Sequence, residues 1–489
     1  MSQNYGEILQ AMQTEAALVV GALLALGIDL TLGRRWSDPK RLRIAVSVGL
    51  VALAGAVHFS FAAGIEGPVF GGVFVLDTLA LATRIGVLVL AAFTLALLPG
   101  VARLRHPAEF VAILLFATTG FSLMAVSGQL LIAFLALELA SLSLYVLAGF
   151  DKTRPASAEA ALKYFLFGGI SAAFLLFGFS LLYGLTGSID FREIAQQLRL
   201  QPLTPLLLIA LVMVLVAFGF KAAAAPFHLW APDVYQGAPA SSAALIASAS
   251  KLAGFVLFVR LLWSGLEPAA GSVTTFDAAP GFLPVLALIS AASLVLGNVG
   301  ALAQRSVRRL LAYSAIAHAG ALLLGVIAAR LAGPGPLFYY AATYGLATVG
   351  AFGVIAVVER NGRCDDLADL AGLHRRSPFL AACLLVFILS LAGIPPLAGF
   401  FGKFAVFAAA LQLGGLGGTV GWLVIAAIGF SAVALYYYLL ILKQALVALP
   451  GPHATPIRVP RGAAVTLLLC ALLLFVLGLF PSLLLGLVG

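Results

Sequence analysis

Six ionisable side chains stand where the chain is otherwise apolar. Glu138 lies in LIAFLALELASLSLYVL, Lys163 in EAALKYFLFG and Lys221 in FKAAAAPFHLW. Lys251 lies in SSAALIASASKLAGF, His318 in AYSAIAHAG and Lys403 in GIPPLAGFFGKF. An acid, amines and an imidazole in series can pass protons by hops. They suit an organic substrate poorly, since such a ligand wants an aromatic-lined cavity with few charges. The choice of cation is itself informative. The chain has 7 Lys and 21 Arg, and four of the lysines but only one arginine fall inside apolar runs. Arginine stays charged in proteins, whereas a desolvated lysine can lose its proton near neutrality. Inserting each central charge costs ~2.5–3.5 kcal/mol even on the lenient scale, so four lysines cost on the order of 10–14 kcal/mol. Such a cost persists where partners, water or function offset it.

Local settings sharpen each candidate. Glu138 is about ten residues from either end of its run, too deep to snorkel. Lys221 precedes Pro226 by five residues. Proline removes a backbone donor and frees a carbonyl one turn earlier, which the bilayer cannot satisfy. A hydrated pocket beside Lys221 is therefore expected. Lys251 sits on a run of small residues that permits close helix packing. Lys403 follows Pro395, Pro396 and Gly399, and His318 has Ser314 one turn before it. Lys163 is near the cytoplasmic end of its run and can reach the interface. His228, Ser248 and Ser314 are secondary candidates, with His228 expected near the cytoplasmic end of its span. Asp77 and Arg84 are seven residues apart, two turns along one face, and read as structural without pairing directly.

The elements that carry these residues must be membrane helices. The 489 residues are 62% hydrophobic and 10% charged, with mean hydropathy +1.11. Soluble domains carry about 25% charged residues. Fourteen apolar runs are long enough to cross ~30 Å of hydrocarbon, so the fold class is an all-α polytopic membrane protein. The basic residues divide 19 to 4 between alternate loops, with five inside spans. The positive-inside rule then places both termini outside the cytoplasm. It also explains the net charge of +9 without a nucleic acid. The opening MSQNYGEILQ lacks a basic n-region and is not expected to be a signal peptide. There is no phosphate-binding Gly-rich loop, CxxC pair or HExxH. Cys364, Cys383 and Cys470 are far apart and read as inert packing residues.

An internal repeat is also visible. Residues 161–194 resemble residues 337–370, 176 positions on. Each copy has a Tyr- and Gly-rich span, an acidic stretch, then a span interrupted by proline at 221–227 or 393–404. The implied organisation is three N-terminal spans in 1–106, a first five-span repeat in 107–265, a second in 280–447 and a last span in 448–489. Five is odd, so the copies are inverted, and ion sites sit where such helices are broken.

PFHLWAPDVYQGAP after a lysine, then SASK, resembles the antiporter-like subunits of respiratory complex I. LALELASLSLYVLAGF, EAALKYFLFG, RRLLAYSAIAHAG and AGIPPLAGFFGKF extend the resemblance over nearly the whole chain. DVYQGAP and LKYF are most similar to the subunit N type. The three N-terminal spans are similar to the bacterial and plastid form. The end soon after span fourteen implies no long lateral helix of the subunit L type, and Lys403 stands where subunit M types usually have Glu. The resemblance implies a proton-translocating subunit of a translocase, with two inverted repeats and two broken helices. It makes Glu138 the acid that tunes Lys221, with Lys251 and His318 on a central axis, Lys403 near the exit and Lys163 an extra lysine. NADH, FMN, iron–sulfur clusters and quinone (ubiquinone among them) would belong to partner subunits, neighbours being subunit M and small K and J types. A subunit of a multisubunit Na⁺/H⁺ antiporter shares the broken-helix lysine, and a structural spacer is the third reading.

Overall fold

The computed structural model describes residues 5–62, 64–101, 104–273, 279–362, 364–451 and 455–488. Arg103 and Arg363 of the charge count, and the first four residues of the MSQNYGEILQ stretch, lie outside them. The first half comprises α1 (Tyr5–Ala11), α2 (Gln13–Thr31), α3 (Asp38–Ala62), α4 (Thr78–Val101), α5 (Pro107–Val126), α6 (Leu130–Ala148), α7 (Pro155–Thr186), α8 (Phe191–Arg199), α9 (Pro205–Ala222), α10 (Trp230–Gly237), α11 (Ala240–Ala247) and α12 (Ala249–Arg260). The second comprises α13 (Phe282–Leu302), α14 (Val307–Ala332), α15 (Gly335–Arg360), α16 (Leu373–Arg376), α17 (Pro378–Ala392), α18 (Ala398–Leu411), α19 (Thr419–Leu446), α20 (Arg461–Leu479) and α21 (Ser482–Leu485).

Among the described residues, thirteen helical segments are long and apolar enough to cross a membrane, α11 and α12 counting together. The two halves α17 and α18 make the fourteenth crossing expected from the sequence. Helices are the only open-ended way to satisfy every backbone group in hydrocarbon. The segment α11–α12 and the helices α14 and α15 are almost wholly buried, while α3, α7 and α19 expose apolar faces. Such faces suit lipid or neighbouring subunits. The central helices are therefore the ones that can hold charge away from lipid.

Both broken spans are built alike. Each starts with a hydroxyl cap and proline: Thr204 then Pro205, and Ser377 then Pro378. The cap hydroxyl accepts an orphan amide and proline lacks one, so the helix starts cleanly. Each first half ends at a left-handed residue, Ala223 (φ 57°) or Gly393 (φ 87°). Each linker contains a cis proline, Pro226 or Pro396. These landmarks lie 170 residues apart, against the offset of 176 read from the Tyr- and Gly-rich spans.

Two features escaped the sequence. A short antiparallel hairpin, β1 (Gly67–Val69) with β2 (Phe74–Leu76), caps the loop between α3 and α4. Its apolar GPVFGGVFVL shows no clean alternation, so period-2 reasoning fails there. The second is an interruption at Ser248, between α11 and α12, with φ −112° and ψ −88°.

The charges read as structural find partners. Arg84 pairs with Glu15 at 2.8 Å, both fully buried, while Asp77 pairs with Arg260. Arg260 is thus a buried residue in the last turn of α12 rather than a loop cation. Arg199 and Arg330 both bond Glu267. Three of the four basic residues on the sparsely charged side are accordingly neutralised in place. All three cysteines are free and buried, and burial pushes the Cys364 thiol up to about 12.

Candidate functional site: a buried series of ionisable groups

The first break frees backbone groups, and the protein re-satisfies them without using Lys221. The Trp230 indole donates to Phe220 O at 3.1 Å, and Ala225 N donates to Ser293 Oγ at 2.9 Å. Lys221 stands in the last turn of α9, fully buried, with its ammonium 3.3 Å from Ser141 Oγ on α6. Glu138, one turn before Ser141, is close enough to act on Lys221 electrostatically, yet no ion pair within 4.0 Å joins them. Its Oε1 is buried and has no hydrogen-bond partner among the described residues. An unpaired buried carboxylate oxygen is costly. The site thus holds an acid and an amine near each other but not locked.

Lys221 and Lys251 line one narrow gap with Phe218, Gly254 and Phe255; the packed phenyl rings leave it too narrow for a water, so the hydrated pocket expected beside Lys221 is not formed there. Gly254 permits this closeness, because a Cβ there would lie 3.2 Å from Lys221 Cγ. Lys251 occupies the first turn of α12, just after the Ser248 interruption, where Ser248 Oγ donates back to Ala244 O. Its ammonium donates to Ala315 O of α14 at 2.7 Å and lies 5.5 Å from the Tyr344 ring centre.

The Tyr344 ring packs between this lysine and the histidine, its centre being 4.7 Å from that of His318, a ring contact rather than a hydrogen bond. Both imidazole nitrogens meet tyrosine hydroxyls: Nδ1 with Tyr340 at 2.6 Å and Nε2 with Tyr438 at 3.1 Å. Tyr438 in turn shares a hydrogen bond with Ser314. Beyond His318 lies a cavity of about 20 Å³ lined by His318, Tyr340, Asn298, Ser431, Tyr437 and Lys403. That volume holds roughly one water, and its polar walls can bind it. Lys403 closes the series, its ammonium donating to Ala392 O at the end of α17 at 2.9 Å.

Five of the six sequence candidates therefore fall in order: Glu138, Lys221, Lys251, His318 and Lys403, the central three buried and the two at the ends half-buried. Lys163 is placed differently. It is part-exposed and bonds Asp233 at 2.6 Å and Glu159 at 2.7 Å. Its neighbour Tyr164 stacks on Trp230, which packs against Phe220 beside Lys221. An aromatic layer thus stands between Lys163 and the buried series. Of the secondary candidates, Ser248 and Ser314 lie on the series. His228 lies in the linker at the first break rather than near the end of its span, because α10 adds two further turns; its Nδ1 is buried without a partner among the described residues. Sequence reasoning missed Ser141, Asn298, Tyr340, Tyr344 and Tyr438, which supply the intervening polar groups. Neutral hydroxyls in apolar spans give no charge signal. Ser141 alone had one, by standing one turn from Glu138. Among the described residues no group of three His, Cys, Asp or Glu could hold a metal.

Residues 127–434 match the family described as NADH:quinone oxidoreductase/Mrp antiporter, TM. NADH-quinone oxidoreductase subunit N 2 of Acidobacterium capsulatum is 50% identical, over 98% of this chain and 98% of its own length. A chain in respiratory complex I from Thermus thermophilus has 35% identity and TM-score 0.78, over 97% of this chain and 98% of that one. A chain of the Mrp complex from a Dietzia species shares the fold, with TM-score 0.81 at 21% identity over 98% of this chain and 96% of that one.

Proposed function

We infer what the buried series does from one premise: the chain belongs to the NADH-quinone oxidoreductase subunit N family. It is an antiporter-like, proton-translocating, multi-pass subunit of a multisubunit membrane complex. In our reading the series is the path that protons take across it. Lys221 takes up and releases a proton in each cycle, with Glu138 as its electrostatic partner. Lys251 and His318 carry the proton onward, the tyrosine hydroxyls bridge the imidazole, and Lys403 delivers it towards the exit. Lys163 stands at the cytoplasmic edge of this path.

The observation that carries the reading is the contiguity of Lys221, Lys251, His318 and Lys403, joined by a shared gap, a shared tyrosine and a shared cavity. A structural set of charges would instead be locked in ion pairs, as Glu15–Arg84 is. The translocase chemistry of the complex belongs elsewhere: NADH, FMN, iron–sulfur clusters and quinone act in other subunits, and this chain supplies no redox centre. Subunit M and small K and J types are the neighbours, the two five-span halves are inverted repeats, and both termini face the periplasm of a bacterial inner membrane.

Lys221→Arg tests the reading. The substitution keeps the charge and nearly keeps the volume. Holding an arginine deprotonated at pH 7 costs at least ~7 kcal/mol before any environmental shift. The expected result is complex assembled at normal level on native gels but without NADH-driven proton uptake in membrane vesicles. Near-normal pumping would make Lys221 a structural cation and end the proposal.

A further inference from the structure

The short helix α10 links two regions that the proton path must keep in register. At its start, the Trp230 indole holds Phe220 O, next to Lys221. One turn on, Asp233 accepts two charged hydrogen bonds at once. Lys163 of α7 reaches Oδ2 at 2.6 Å and Arg309 of α14 reaches Oδ1 at 2.6 Å. Arg309 also donates to the Gln236 side chain at 3.2 Å. At the end of α10, the fully buried Arg308 donates to Gln236 O and Ala238 O, and pairs with Glu359 of α15. Two adjacent arginines at the start of α14 therefore clamp α10, one on its carboxylate and one on its terminal carbonyls. The same α14 carries Ser314 and His318 and offers Ala315 O to Lys251.

We propose that Asp233 is a positioning residue of the proton path: by holding Lys163 and Arg309 together it fixes α10, and through α10 the placement of Lys221 relative to the helix that carries His318. The inference rests on the reading of Lys221 and His318 as members of one path. Proton transfer requires donor and acceptor within hydrogen-bond reach, directly or through one water, so an ångström of slippage between α9 and α14 is enough to slow it. Charge-assisted bonds at this distance are the strong ones, and a carboxylate can serve two cations where an amide cannot. Asp233 touches neither the buried series nor its cavities; its one contact with the path is Lys163, at the edge, which forms part of the clasp.

The test measures the initial rate of NADH-driven proton uptake in vesicles, per assembled complex counted on native gels, taken as a ratio to that of the unmodified complex. Asp233→Asn keeps size and loses the charge; the expected result is assembled complex whose ratio falls about tenfold or more, with Asp233→Glu restoring at least half of it. Arg309→Gln should lower the ratio similarly, and adding it to Asp233→Asn should cause little further loss, because both break one clasp. Normal ratios in the assembled Asp233→Asn and Arg309→Gln complexes, with only the amount of complex reduced, would mean that the clasp merely aids folding and would overturn the proposal. So would multiplicative losses in the double variant. If Lys221→Arg pumps normally, the path itself is wrong; if Lys221→Arg is dead while Asp233→Asn pumps normally, only the clasp is wrong.

Discussion

The two broken spans share their cap, their left-handed turn and their cis proline, yet they use their lysines in opposite ways. At the first break, Trp230 and Ser293 satisfy the freed backbone groups, and Lys221 is left with a serine and a carboxylate at a distance. At the second, Lys403 itself donates to Ala392 O, at the end of a half-helix where the dipole favours a cation. Ser390 Oγ takes the remaining donor, Gly399 N. Lys221 is thus free of structural duty, whereas Lys403 helps to hold the break it sits beside. A lysine that must change protonation state is best separated from backbone capping, because losing its proton then unpairs nothing. In the proposed path, Lys403 would have to turn from Ala392 O towards the cavity it lines in order to pass a proton there.

The comparison is open to attack at several points. The largest effect is expected for Lys221→Met, which should abolish pumping while leaving the amount of assembled complex near normal on native gels. A large loss of assembly there would mean that Lys221 has a structural duty after all. Lys403→Met should lower pumping and stability together, since removing a charged donor from a buried carbonyl costs about 1–3 kcal/mol. Thermal inactivation of the assembled complex reads the second effect, and equal heat resistance of the Lys221 and Lys403 variants would erase the contrast. Gly393→Ala comes next. The left-handed backbone costs a non-glycine residue roughly 1–2 kcal/mol, and the new Cβ would lie 3.1 Å from Lys403 Cδ and 3.3 Å from Nζ. Pumping should fall because the ammonium is displaced; unchanged pumping would show that Lys403 tolerates movement. The reverse change, Ala223→Gly, should raise the thermal midpoint slightly, by relief of about 1 kcal/mol of backbone strain. A lower midpoint would mean that the methyl group, fully buried at Ala223, contributes more by packing than the turn costs. The smallest effect is assigned to Glu138→Gln. Its carboxylate acts on Lys221 only at a distance, so pumping should be reduced but not abolished, and loss as complete as in Lys221→Met would make Glu138 an obligatory carrier.

Much of this architecture is legible in the amino-acid sequence. Apolar length alone determined the fourteen crossings and the all-α class, because a continuous apolar run of about twenty residues can satisfy its own backbone in hydrocarbon only as a helix. Proline placement determined both breaks, since Pro226 and Pro395–Pro396 cannot continue a helix. Burial cost singled out Glu138, Lys221, Lys251, His318 and Lys403, as a charge deep in an apolar run must be offset by something. Tertiary structure decided how these residues are connected. The partners of Arg84 and Asp77 come from Glu15 and Arg260, 69 and 183 residues away along the chain, where helical periodicity carries no information. The tyrosines around His318 carry no charge, so only packing reveals that both imidazole nitrogens are engaged. Lys163 shows the same limit from the other side. Its position eight residues into α7 placed it among the buried lysines or at the interface, and only the approach of α10 and α14 decided that it serves Asp233 at the edge. Sequence determines depth in the membrane, because depth is a property of one helix; which buried groups meet is a property of several helices packed together, and it is fixed only when they are.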